Sequence, residues 1–160
     1  MRYYLGIDPG ISGAIAVLDE NEDIVQIFDM PTTEYVSGKS KKQRVNPQAI
    51  VAELKLFKNE RIEGAIEQVN AMPNQGVTSM FSFGRSLGIL EGALAGLEIP
   101  YTLFTPTVWK RKMGANSSKD GAREMAMRIW PNKAELFKRK KDDGRAESAL
   151  LALFLIRERK

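Results

Sequence analysis

The sequence contains no histidine and no cysteine. Without imidazole there is no proton relay of the Ser–His–Asp kind and no side chain that titrates near neutrality at its ordinary pKa. Without thiols there is no disulfide, no thiolate nucleophile and no zinc–thiolate centre. Any hydrolysis is left to carboxylates, lysines or a metal-bound water. Long hydrophobic runs are missing too. The longest strongly apolar stretch, Ala149 to Ile156, is far too short to cross a bilayer. Met1 to Tyr4 leads straight into a strand-like run, without the apolar segment and cleavage site of a signal peptide. The expected compartment is therefore the cytosol, with no membrane partner. The 160 residues suggest one domain over 1–160, and a hydrophobic fraction of 43% is enough for one core. The net charge of +4 hints at a polyanionic partner.

The order of elements is legible from pattern. Arg2 to Asp8 reads as a strand broken by Pro9-Gly10, and Ala14 to Asp19 and Ile24 to Phe28 as two more β-branched strands. Pro31 to Val45 is polar and basic and reads as a flexible loop. Asn46-Pro47, a cap residue followed by proline, opens a helix to about Lys58. Ile62 to Glu67 is a buried strand, Asn70 to Thr78 a loop, and Ser79 to Leu97 a helix. Tyr101 to Phe104 is a fifth strand. Pro106 to Lys112, Ser118 to Ile129 (capped from Ser117-Ser118) and Gly144 to Arg157 are helices. This order predicts an α/β domain with a five-stranded mixed sheet flanked by helices. In the helix over 79–97, Gly84, Gly88, Gly92 and Gly96 recur every fourth residue and form a smooth stripe, suited either to packing on the sheet or to a subunit interface.

Two acids end apolar strands beside loops: Asp8 and Glu67. A third group, Asp142-Asp143-Gly144-Arg145-Ala146-Glu147, opens the last helix. Asp143 and Glu147 are four apart and share a helix face, about 5–6 Å from each other. The helix dipole accounts for Asp142 and Asp143 but poorly for Glu147, which is followed at once by Ala149-Leu150-Leu151-Ala152. If Asp8, Glu67, Asp143 and Glu147 converge, they form an all-oxygen site of the kind that suits Mg²⁺ or Mn²⁺. Two ions there would activate water and stabilise the leaving oxygen of a phosphodiester.

Basic clusters flank these acids: Lys39, Lys41, Lys42 and Arg44 in the loop, Lys110, Arg111 and Lys112 after Trp109, then Lys119, and Lys138, Arg139, Lys140 and Lys141. Cations around a nuclease centre would hold phosphates. Arg85 lies among the glycines of the helix. Phe81 and Phe83 near its start cannot both face one core surface, so one of them is a candidate for stacking on unpaired bases.

Read together, Gly6-Ile7-Asp8-Pro9-Gly10, Ala65-Ile66-Glu67-Gln68-Val69 and Asp143-Gly144-Arg145-Ala146-Glu147-Ser148-Ala149-Leu150 resemble the RuvC-type Holliday-junction resolvases. The Met72 to Val77 loop and the Phe-Gly segment after it look like the phage and prophage branch. The resemblance implies a ribonuclease H-like fold and a homodimer built on the helix over 79–97. It also implies metal-dependent nicking of two opposed strands of a four-way DNA junction. By resemblance Asp8, Glu67 and Glu147 are metal ligands. The fourth acid of the family falls at Gly144 here, so Asp143 takes its place, one position displaced, with Asp142 in reserve. Lys110 and Lys119 fall where the family places lysines near the scissile phosphate. Asn70 stands where some members carry an aromatic residue, so junction stacking falls to Phe81 or Phe83. The alternatives are a ribonuclease H-like enzyme acting on RNA and a non-catalytic junction-binding protein. An actin-like ATPase needs two large domains, which 160 residues do not supply.

Overall fold

The computed structural model describes residues 1–68, 70–115 and 118–160, with the side chain of Lys119 not among what is described. Val69 of the second motif and the cap candidate Ser117 thus lie outside the described residues, as does any contact of the Lys119 side chain. Five strands form the main sheet: β1 (Arg2–Asp8), β2 (Ala14–Asp19), β3 (Ile24–Asp29), β6 (Arg61–Glu67) and β7 (Tyr101–Phe104). Their order is β3-β2-β1-β6-β7. The first three make an antiparallel meander, and β6 and β7 add on parallel to β1. The helices are α1 (Pro47–Leu54), α2 (Val77–Gly96), α3 (Pro106–Met113), α4 (Lys119–Ile129) and α5 (Asp143–Arg159).

Both faces of the sheet are covered, which is why β2 reads as an unbroken apolar run. On one side Leu5, Ile7, Ile15, Val17 and Ile66 meet α1 and α2 through Ile50, Leu54, Leu90 and Leu94. On the other, Tyr4, Ala16, Leu18 and Ala65 meet α5, with Trp109, Ala122, Ala126 and Phe137 closing the layer. Helix α5 is buried from Ala146 to Ile156 apart from Glu147, so it has no polar face to reveal it by amphipathicity.

Two glycines set how closely α5 seats on β1. A Cβ on Gly6 would overlap the Ser148 carbonyl oxygen and stand 2.5 Å from the Ala152 nitrogen. A Cβ on Gly144 would stand 2.8 Å from the Ser12 carbonyl oxygen. Backbone therefore lies directly on backbone at the top of α5, and position 144 has no room for a side chain of any kind.

Two expectations need correction. Residues 31–45 are a β-hairpin, β4 (Thr32–Ser37) and β5 (Ser40–Val45), turned by Gly38-Lys39 with Gly38 at φ 64. The lysines that made it read as a loop stand on its exposed surface. The glycine stripe of α2 does not pack on the sheet. A Cβ on Gly84, Gly88, Gly92 or Gly96 would meet nothing within 4 Å, and all four are exposed. No helix among the described residues is long and apolar enough to cross a membrane.

Candidate active site

The parallel pairing of β1 with β6 places Ile7 opposite Ile66, so Asp8 and Glu67 emerge side by side at the carboxyl ends of adjacent strands. That end of an open α/β sheet is where ligand sites form. The close seating of α5 then brings its first two turns over the same edge. Asp8, Asp143 and Glu147 line one cleft of about 670 Å³, together with the Gly10–Gly13 turn and the start of α2.

The electrostatics report the crowding. Burial pushes the Asp8 carboxyl from its ordinary 3.8 up to about 7, and repulsion from Glu147, Glu67 and Asp143 acts in the same sense, against the Gly10 N–H. Glu67 is raised by burial and by Glu147, with the Trp109 N–H and Lys110 opposing. Asp8 is thus within electrostatic reach of Glu147, Glu67 and Asp143, although Glu67 is not among the residues that line the cleft.

Helix α3 supplies two partners. Trp109 is fully buried and its Nε1–H donates to Glu67 Oε2 at 2.9 Å. Lys110 Nζ donates to Glu147 Oε1 at 2.8 Å, with both side chains mostly buried. The Lys110 ammonium also stands 5.4 Å from the Trp109 ring centroid. Sequence reasoning passed over Trp109, whose value as a donor to Glu67 depends on a contact spanning 42 residues. An indole beside a lysine cluster was the one available signal.

The reserve ligand Asp142 is excluded from the cleft. It is 1% exposed and turned to Arg139, which donates from its backbone N–H and its guanidinium. Burial works upward on its carboxyl, but the Arg139 hydrogen bonds outweigh it and hold it below the usual range. Arg145 meanwhile grips Asp29 at 2.7 and 3.0 Å, tying the start of α5 to the end of β3.

The chemistry of the donor set, four carboxylates without nitrogen or sulfur, fits a hard divalent cation. As the side chains stand, no three His, Cys, Asp or Glu among the described residues form a ready ligand group. Glu147 is drawn to Lys110 and Glu67 to Trp109, so capture of an ion requires carboxylate rotation.

The candidate DNA contacts divide. Phe83 lines the acidic cleft, while Phe81, Arg85 and Arg44 line an adjoining one. Both phenylalanines are exposed, Phe81 at 72% and Phe83 at 37%, where one was expected. Lys39, Lys42, Arg111, Lys140 and Lys141 are exposed, and Lys41 is exposed but paired with Glu34. Lys112 is occupied with Glu158, Lys138 with Glu135 and Arg139 with Asp142. Two of the four cations of the 138–141 run are thus countered by the chain's own acids.

No family model and no curated protein matches the sequence. Solved structures do match. The chain is similar to RuvC of Thermus thermophilus in complex with a Holliday junction substrate, with TM-score 0.64 and 16% identity over 99% of this chain and 96% of that one. A second Thermus thermophilus RuvC structure gives TM-score 0.55 and 19% identity over 98% and 95%. The fold is therefore ribonuclease H-like, with the mixed five-stranded sheet and flanking helices of these structures.

Proposed function

We propose that the chain is a structure-selective endodeoxyribonuclease that resolves four-way or other branched DNA junctions by divalent-metal-dependent hydrolysis. One observation carries this reading: the ends of two strands and the start of α5 bring carboxylates together around Asp8. Asp8, Glu67, Asp143 and Glu147 would hold Mg²⁺ or Mn²⁺, as two ions, which when bound supply an activated water and neutralise charge on the leaving oxygen. Trp109 orients Glu67 through its N–H. Lys110, released from Glu147, turns its ammonium to the scissile phosphate, and Lys119 at the head of α4 serves the same charge. The hairpin lysines hold a DNA arm. Branched DNA is favoured as substrate because a neighbour of this fold was solved with a Holliday junction.

Incubation with synthetic four-way, three-way and linear duplexes, in Mg²⁺ and in EDTA, tests the proposal. Paired nicks near the branch point, in Mg²⁺ alone, are expected. Cleavage of branched RNA but not branched DNA would redirect the substrate, and no cleavage of either would remove the enzymatic reading.

Two opposed nicks call for two centres, and we place the two-fold contact on α2, where the glycine stripe is exposed. Gly88→Leu faces open space within the chain. It is expected to leave the melting temperature of the separated chain within a few degrees while shifting sedimentation from dimer to monomer. An unchanged dimer would move the interface elsewhere.

A further inference from the structure

Two charges at the head of α5 have no role in the centre proposed above. They are Asp142, with a side chain 1% exposed, and Arg145, with a side chain 19% exposed. Successive helix positions turn by about 100°, so Asp143 and Glu147 share a face and Arg145 points away from both. Its guanidinium forks onto Asp29, with Nε 2.7 Å from Oδ1 and Nη2 3.0 Å from Oδ2. A two-point contact between planar groups fixes orientation as well as distance.

The place of Asp29 in the sheet gives this fork its meaning. Asp8 pairs with Ala14 in the β1–β2 register, and Ala14 pairs with Asp29 in the β2–β3 register. Asp8, Ala14 and Asp29 therefore stand in one row across the meander, with Asp29 two strand spacings, about 10 Å, from Asp8. The next residue, Met30, donates its N–H to the Gly13 carbonyl at 3.0 Å. Gly13 in turn lies against Gly144. Arg145 thus ties the first turns of α5 to the row of backbone that carries Asp8. The tie opposes a repulsion. Glu147 and Asp143 repel Asp8, which pushes the head of α5 away from the strand ends. Asp142 stands at the N-cap of α5, but its carboxylate turns to Arg139 and lies 4.0 Å from Arg145 Nε. Arg139, Asp142, Arg145 and Asp29 form one chain of alternating charge behind the acids.

We propose that Arg145, through its fork to Asp29, is a positioning residue that sets where Asp143 and Glu147 stand relative to Asp8, and so sets the affinity of the centre for a divalent cation. The inference rests on the metal-centre reading and deepens it. The Asp29 side chain is 63% exposed, so loss of the pair costs the fold little. Partners that orient ligands nevertheless govern metal affinity by about ten- to a hundredfold. The far end of α5 supplies a control. Arg159 Nε donates to Glu63 Oε1 at 2.9 Å, a pair of the same chemistry about 21 Å along the helix.

The test is calorimetric titration of Mn²⁺ into the full chain without DNA. Asp29→Ala and Arg145→Lys are each expected to weaken Mn²⁺ binding about tenfold. Asp29→Ala should move the melting temperature by no more than about 4 °C. Its loss of affinity should persist in about 0.5 M KCl, where the field of one charge about 10 Å away is screened. The double variant should bind no more weakly than either single one, because the two side chains act through one contact. Arg159→Gln should keep the parent affinity. The proposal is overturned if Asp29→Ala and Arg145→Lys bind Mn²⁺ as the parent does, or if the loss disappears in salt. It is equally overturned if Arg159→Gln weakens binding as much, which would mark a general loosening of α5. In each of these cases the parent still binds the ion, and the nuclease reading stands. A parent chain that binds no Mn²⁺ removes both.

Discussion

At pH 8 in EDTA, Asp8→Asn is expected to unfold at a higher temperature than the parent chain and, with Mg²⁺ restored, to cut no junction. The two halves of this result have one cause. The Asp8 carboxyl is raised from 3.8 to about 7 by burial and then by its acidic neighbours. A folded-state value above the unfolded one means that the folded chain holds a proton which the unfolded chain has released. Stability therefore falls as pH rises from about 4 to about 7, and above 7 the full cost of the buried charge is present. That cost is on the order of 4 kcal/mol. An amide keeps an oxygen for the Gly10 N–H, bonded at 3.4 Å, and carries no charge. Its gain at pH 8 corresponds to at most about 8–16 °C in a domain of this size, and it should nearly vanish at pH 4. Differential scanning calorimetry at both pH values checks the sign. Mg²⁺ should raise the melting temperature of the parent more than that of the variant, because an ion bound by the folded state alone stabilises it by mass action. Equal melting curves at pH 8, or nicking that survives the substitution, would take Asp8 out of the centre.

The acids that surround Asp8 are partly legible in the sequence. Asp8 and Glu67 stood out because each ends an apolar run, and strands that end in an acid beside a loop project it at the sheet rim. Glu147 stands out for the opposite reason, as a charge followed at once by the apolar stretch from Ala149 to Ile156. The choice of Asp143 over Asp142 was not decidable from spacing. It depends on Arg139, whose guanidinium and backbone N–H both turn Asp142 away. The hairpin over 32–45 was hidden because five of six β5 residues face solvent. Periodicity reports burial, and a strand that buries almost nothing carries no period. The spacing of the glycine stripe suits either packing on the sheet or a subunit interface, because both need close approach. Among the described residues nothing approaches it, whereas backbone presses against Gly6, Gly13 and Gly144, which form no pattern.

Gly6→Ala should be strongly disruptive for a change of a single methyl group. Its Cβ would overlap the Ser148 carbonyl oxygen and crowd the Ala152 nitrogen and Cβ. A flexible side chain could rotate away from such a contact, but helix backbone cannot, so α5 must lift from β1. Overpacking of this kind costs about 3 kcal/mol or more, equivalent to a drop of at least about 6 °C at this chain length. The lift has a second consequence, since Asp143 and Glu147 ride on the same helix while Asp8 stays on the strand. A shift of about 1 Å between them is expected to reduce cleavage about a hundredfold, even at temperatures where the variant remains folded. Gly64→Ala is the control. Its nearest contact would be the Leu94 Cδ1 at 3.3 Å, a side chain that can give way, and Gly64 lies on β6 away from α5's acids. That variant should lose no more than about 1 kcal/mol and keep its activity. If the two variants melt and cut alike, backbone contact between α5 and β1 is not what assembles the acidic group.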